Sequence, residues 1–172
     1  MASGSVVTID THYVHPGRAA VYLLIDGDRA AFIDTSTARA LPRLLSALDE
    51  HGLTPEQVEY AVVTHVHLDH GAGTGAVLRA CPNATALVHP RGARHLIDPT
   101  RLTAAAKRVY GEEAFTKLHG EVEGIDAGRV RTVADGETVR LGERALTFLH
   151  TAGHAGHHVC IHDSGSNAAF TG

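Results

Sequence analysis

One segment constrains this chain more than any other: Thr64-His65-Val66-His67-Leu68-Asp69-His70-Gly71. Its spacing, His-x-His-x-Asp-His, gathers four metal-capable side chains within six positions. The apolar run Tyr60-Ala61-Val62-Val63 leads into it and reads as a short buried strand. The motif then belongs to the loop at the C-terminal end of that strand, followed by Gly71 and Gly73. Irregular backbone there frees side chains from strict up-down alternation, so several can aim at one point. Neutral imidazoles bind zinc or iron, and a carboxylate adds negative charge without redox activity. Two histidines two positions apart can share one metal. The Asp69-His70 pair points elsewhere and can begin a second site.

A second cluster fits the first. Ala145 to Leu149 alternates loosely, as a strand does, and runs through His150 into Thr151-Ala152-Gly153-His154-Ala155-Gly156-His157-His158. A catalytic site with three protein ligands and an open position needs one more imidazole beside His65 and His67. His154, on a glycine-flanked turn, is the candidate. His157 or His158 is read as orienting a ligand or substrate, with His158 taken as the candidate.

In these residues the chain resembles the N-terminal part of a metallo-β-lactamase-fold metallohydrolase. The likeness is to the group that includes glyoxalase II-type thioesterases and lactonases. It is carried by Phe32-Ile33-Asp34-Thr35, by Leu53 to Gly73, by Thr151 to His158 and by Ala168-Ala169-Phe170-Thr171-Gly172, in the family's order. Gly156 stands where the resembled subgroup usually has Pro. The resemblance implies an α+β fold, the αββα sandwich, present only as its N-terminal part. It implies His65, His67 and His154 as ligands of a first metal, and Asp69 and His70 as ligands of a second. Asp69 also becomes the catalytic candidate, orienting or deprotonating the attacking water. Asp34 becomes a buried acid supporting the site, although by itself it reads as an ordinary strand-end or helix-capping residue. The implied cofactor is zinc, one or two ions, with iron or manganese as alternatives. The implied reaction is hydrolysis of a small-molecule thioester, lactone or related ester by metal-activated water.

In the family, Phe170-Thr171-Gly172 is followed at once by an aspartate bridging both metals, and later by a further histidine. This chain stops at Gly172. The reading is therefore a single incomplete domain over residues 1–172, with at most one well-occupied metal, poor turnover and a tendency to form homo-oligomers. Two other functions stay open: a mononuclear-iron dioxygenase of the same fold acting on sulfur compounds, and a non-catalytic metal-binding fragment.

Composition narrows the classes further. A formal charge of −4 argues against a general nucleic-acid binder. No apolar run approaches membrane-spanning length, and Met1 to Ser5 lacks the basic-then-apolar signature of a signal peptide. The expectation is a cytoplasmic protein with no membrane partner. Cys81 and Cys160 show no motif and are read as reduced, buried and structural.

Along the chain, strands over 19–25 and 30–33 flank a turn at Asp26-Gly27-Asp28. Leu41, Leu44, Leu45 and Leu48 recur at helical spacing. Thr54-Pro55-Glu56-Gln57 has a capping-box pattern and predicts one helical turn. A helix over 74–80, a strand over 85–88, a helix over 101–118 and five short strands from Arg131 onward complete the reading. The resemblance would make Lys107, Tyr110 and His119 substrate contacts. As polar residues of a surface helix they read more simply as solvated, and they are left outside the expected site.

Overall fold

A computed structural model describes residues 4–172. Six strands form one sheet in sequence order: β1 (Ser5–Asp10), β2 (Ala20–Asp26), β3 (Arg29–Ile33), β4 (Val58–Val63), β5 (Thr85–Val88) and β6 (Val130–Thr132). The first three pair antiparallel, and β3 to β6 run parallel. The β2–β3 hairpin closes through Gly27 at φ +63°, paired Asp26 to Arg29. A second, antiparallel sheet contains β7 (Thr138–Leu141), β8 (Arg144–His150), β9 (Val159–Asp163) and β10 (Ala168–Phe170).

Burial explains why the parallel strands are apolar almost throughout. Both faces of β3, β4 and β5 are covered, so alternation gives way to continuous hydrophobic runs. On one face, Leu23, Phe32, Ala61, Val63 and Val88 pack against Leu44 and Leu48 of α1 (Leu41–Glu50) and Val77 and Leu78 of α3 (Thr74–Ala80). On the other, Leu24, Ile33, Val62 and Leu87 meet Leu141, Leu146, Phe148, Ile161 and Phe170 of the second sheet. The layers are thus helices, six-stranded sheet and four-stranded sheet, the expected α+β sandwich. The outer side of the second sheet faces solvent, with Leu149 44% exposed. Among the described residues, no helix is long and apolar enough to cross a membrane.

Several expectations need correction. The helix expected over 101–118 is two helices, α5 (Thr100–Tyr110) and α6 (Glu112–His119). Gly111, at φ +82°, breaks them apart in a backbone region that other residues rarely enter. Strand β1 and helix α4 (Pro90–Ile97) were not anticipated. Their signals were present, as apolar Val7 and Ile9 two residues apart and as Pro90 at a first helical position. The turn at Pro55–Gln57 is a 3₁₀ turn with both halves of the capping box made. Cys81 is buried as expected, but Cys160 is only half-buried on the outer side of the second sheet. There its thiol accepts a hydrogen bond from Thr151 Oγ1 at 3.3 Å.

Candidate metal centre

The site forms where β3 and β4 end side by side. After Val63 the chain leaves the sheet through Thr64 to His67, and the expected loop is half helical. His67 precedes a single turn, α2 (Leu68–Gly71), that holds Asp69 and His70. This turn packs on the segment Asp34 to Thr37, which leaves β3 beside it. Thr35 N and Gly73 N donate across the gap to His70 O and Ser36 O, at 2.9 and 2.8 Å. A Cβ at residue 73 would lie 2.6 Å from Thr35 O, so only glycine permits this approach.

The structure brings His65 and His67 together with His154, from the loop between β8 and β9. One ring nitrogen of each lies within 4.8 Å of the others. Among the described residues, this is the one group of three or more His, Cys, Asp or Glu donors gathered so closely. His67 Nδ1 and His154 Nε2 are 3.0 Å apart. His65 is 1% exposed, and its Nε2 is buried without a hydrogen-bond partner among the described residues. A buried nitrogen left unpartnered costs free energy unless something fills its lone pair. Burial, followed by the neighbouring His70, His67, His158 and His154, holds the His65 pKa down to about 3. Burial and His154 lower that of His67 as well. Neutral imidazoles crowded together are the state in which histidine ligates a metal, so this donor set fits a divalent ion, and the trio could hold one.

Asp34 sets the direction of the lone pairs. Its Oδ1 accepts from Thr64 N at 2.8 Å, and both carboxylate oxygens lie 2.9 Å from Thr64 Oγ1. The carboxylate can only accept, so the Thr64 hydroxyl donates to it and in turn accepts from His65 Nδ1–H at 3.1 Å. That tautomer leaves His65 Nε2 as the bare nitrogen. Asp34 Oδ2 also accepts from His70 Nδ1 at 2.7 Å, and His70 Nε2 lies 3.6 Å from Asp69 Oδ2. For His70, burial pulls the pKa down, but the Asp34 hydrogen bond and the charges of Asp34 and Asp69 outweigh it and raise it. Buried Asp34 itself sits at φ +63°, a strain a short polar side chain tolerates.

His70 packs against His65 of the trio, ring centroids 4.1 Å apart, with Asp69 beside it on α2. His158 is buried with its ring centroid 5.2 Å from that of His65, and its Nδ1 lies 2.8 Å from Thr151 Oγ1. His157 sits 6.0 Å from His67, ring to ring. Three residues of this region lay outside the expected set. Thr64 stood inside the motif with no role given. Tyr13 comes from the β1–β2 loop, which carries no motif. His119 was read as solvated, yet it is 1% exposed.

The family model described as the metallo-beta-lactamase superfamily matches residues 15–172. The acyl-coenzyme A thioesterase MBLAC2 of Bos taurus is 28% identical over 171 residues, covering 93% of this chain and 59% of that protein. A nitric oxide reductase of Moorella thermoacetica is 28% identical over 128 residues, covering 74% of this chain and 26% of that protein. The crystal structure of the archaeal metallo-beta-lactamase superfamily protein ST1585 from Sulfolobus tokodaii superposes with a TM-score of 0.75 at 25% identity, over 93% of this chain and 60% of that one. The chain thus spans about three-fifths of the length of the thioesterase relative. With a family match over nearly its whole length, and the sandwich and histidine cluster in place, this chain belongs to the metallo-beta-lactamase superfamily.

Proposed function

We propose that this chain carries the metal site of a metal-dependent hydrolase acting on a small-molecule thioester or related ester. The observation that supports it most is the bare, buried Nε2 of His65, on a ring whose centre lies 4.7 and 5.0 Å from those of His67 and His154. His65, His67 and His154 would hold the ion, and zinc suits a three-imidazole set with an open position. When bound, the ion supplies Lewis-acid polarisation and activation of water. Asp69 and His70, with Nε2 and Oδ2 3.6 Å apart, would contribute to a second ion or accept the proton from water. Asp34 and Thr64 fix the rings in place for either role. The preference for thioesters over other esters follows the likeness to the acyl-coenzyme A thioesterase MBLAC2.

The test is a metal titration of the chelator-stripped chain, followed by assays on an acyl thioester, a lactone and a phosphodiester. Hydrolysis that appears with zinc and favours the thioester is the expected result. Metal-independent turnover, or turnover of the phosphodiester alone, overturns the reading.

A further inference from the structure

The geometry points to the cleft between the β1–β2 loop and the α5–α6 pair as the subsite for a compact apolar acyl group, with Tyr13 as its positioning residue. This inference rests on the hydrolase reading above and names the part of the substrate that the cleft would select. The cleft has a volume of about 330 Å³ and is lined by Tyr13, Leu68, Leu102, Tyr110 and His119 together with His67 and Asp69 of the metal centre. That volume is at the small end of ligand pockets, which run from about 300 to 1,000 Å³. Leu68, Leu102 and the rings of Tyr13 and Tyr110 make its apolar walls, and the phenol hydroxyls and the His119 imidazole add polar groups to those of the metal centre. An acyl group lying here would place its carbonyl at that centre.

The walls are held in place. Leu68, Ala72 and Phe115 form a small buried cluster with Leu102, Ala106 and Val122 around it, fastening α5 and α6 to the turn that bears Asp69. Tyr110 is 54% exposed, as a ring at a cleft mouth would be. Tyr13 is presented by a strained loop. Its neighbours His12 and Val14 have φ of +54° and +64°, and a β-branched residue such as Val14 rarely takes that conformation. Asp10 closes the loop by accepting from His12 N at 3.0 Å and Gly17 N at 2.8 Å. The Tyr13 hydroxyl meets His119 Nε2 at 3.2 Å. His119 Nδ1 faces the Phe115 carbonyl at 3.3 Å, so Nδ1 carries the proton and Nε2 accepts from tyrosine. With no other partner for its Nε2 among the described residues, buried His119 thus anchors the tyrosine ring beside the metal centre. Strain of this kind persists only where the surroundings enforce it, and it gathers at ligand clamps.

The experiment uses the zinc-loaded full chain with straight acyl thioesters of two to eight carbons. Each methylene buried in the cleft should raise kcat/KM about fourfold until the cleft is full. Tyr110→Ala and Leu102→Ala should flatten that slope to under about twofold per methylene, while Lys117→Ala, on the exposed side of α6, keeps it. Tyr13→Phe retains the ring but loses the His119 bond, so KM should rise about three- to tenfold with kcat unchanged. A wild-type rate independent of chain length, or slopes unchanged in both alanine variants, overturns the subsite and leaves the hydrolase reading standing. If no thioester is hydrolysed, that reading fails, and calorimetric titration with two- to eight-carbon alkanoates judges the subsite alone. Affinity that climbs about fourfold per methylene in the wild type and not in Tyr110→Ala supports it; a flat series in both overturns it.

Discussion

His67 Nδ1 lies 3.0 Å from His154 Nε2, although 87 positions separate the two residues in the chain. Two ring nitrogens that close call for a shared proton or a shared cation between them. If the cation is the physiological answer, His67→Ala or His154→Ala should remove tight zinc binding, whereas His89→Ala should retain it. Metal content after dialysis measures this, with circular dichroism confirming that each variant is folded. Equal loss in all three would show that ordinary histidines have been mistaken for ligands.

Metal removal should also register as stability. A ligand that binds only the folded state at about 100 times its Kd adds about 2.7 kcal/mol. The chelator-treated chain should melt at a lower temperature than the zinc-loaded one, and His67→Ala should show no such difference. Differential scanning calorimetry with and without zinc reads it directly.

Asp34→Asn should keep the fold, since asparagine also tolerates positive φ, but weaken metal binding about 10–100-fold. The amide no longer supplies the charge that draws protons to His65 Nδ1, through Thr64, and to His70 Nδ1. Competition against a chromophoric chelator gives the affinity. An unchanged value would mean that the carboxylate serves packing alone.

Away from the metal, Arg144 and Asp163 form a buried ion pair that ties the second sheet to the first, Arg144 also donating to Ser5 O and Ile25 O. Burial alone would raise the Asp163 pKa. Hydrogen bonds from Arg144, Ser166 and Gly165 outweigh it and hold the carboxyl at about 2, below its ordinary 3.8. A depressed carboxylate pKa stabilises the fold above the unfolded value, and the benefit fades as pH falls from about 3.8 to 2. Its size is about 2 kcal/mol. Urea midpoints of the metal-free chain at pH 5 and pH 2.5 should differ accordingly, and Asp163→Asn should lose that part of the difference. Arg144→Ala, which strands the carboxylate, should cost about 3–5 kcal/mol.

The two cysteines should separate in a thiol-labelling assay. Burial, with Glu56 nearby, pushes the Cys81 thiol up to about 11, so little thiolate forms at neutral pH. Cys160 is half-buried at the surface of the second sheet. Ellman's reagent should react with one thiol per native chain and with two in denaturant, and Cys160→Ser should abolish the native reaction.

The motif strand, the metal loop and the leucine face of α1 were legible because each rests on local pattern. Val62 and Val63 had to be buried, and Leu44 and Leu48 had to share a helix side. His154 was singled out by its glycine-flanked turn and the need for a third imidazole, though nothing in that turn says which distant strand end it will face. Helix α4 escaped notice because it is only eight residues long and carries Arg91, Arg94 and His95, with Gly92 and Leu96 its buried residues. His119 was misread for another reason. Its burial comes from Phe115 on its own helix, Tyr110 at the end of α5 and Tyr13 on the β1–β2 loop. A wheel of α6 shows Phe115 and is blind to the other two.

Asp34 is one negative charge answering to two rings, His65 through Thr64 and His70 directly. The tautomer and orientation of the trio's innermost ring and of His70 therefore depend on a common carboxylate. Any displacement of that carboxylate reaches both rings at once. Substitutions at Thr64 and His70 should then fail to add, each altering how much of the aspartate the other ring receives. Such a centre cannot be retuned one metal position at a time: a lineage exchanging its metal or its reaction has to move through coordinated changes around residue 34, or leave that residue alone.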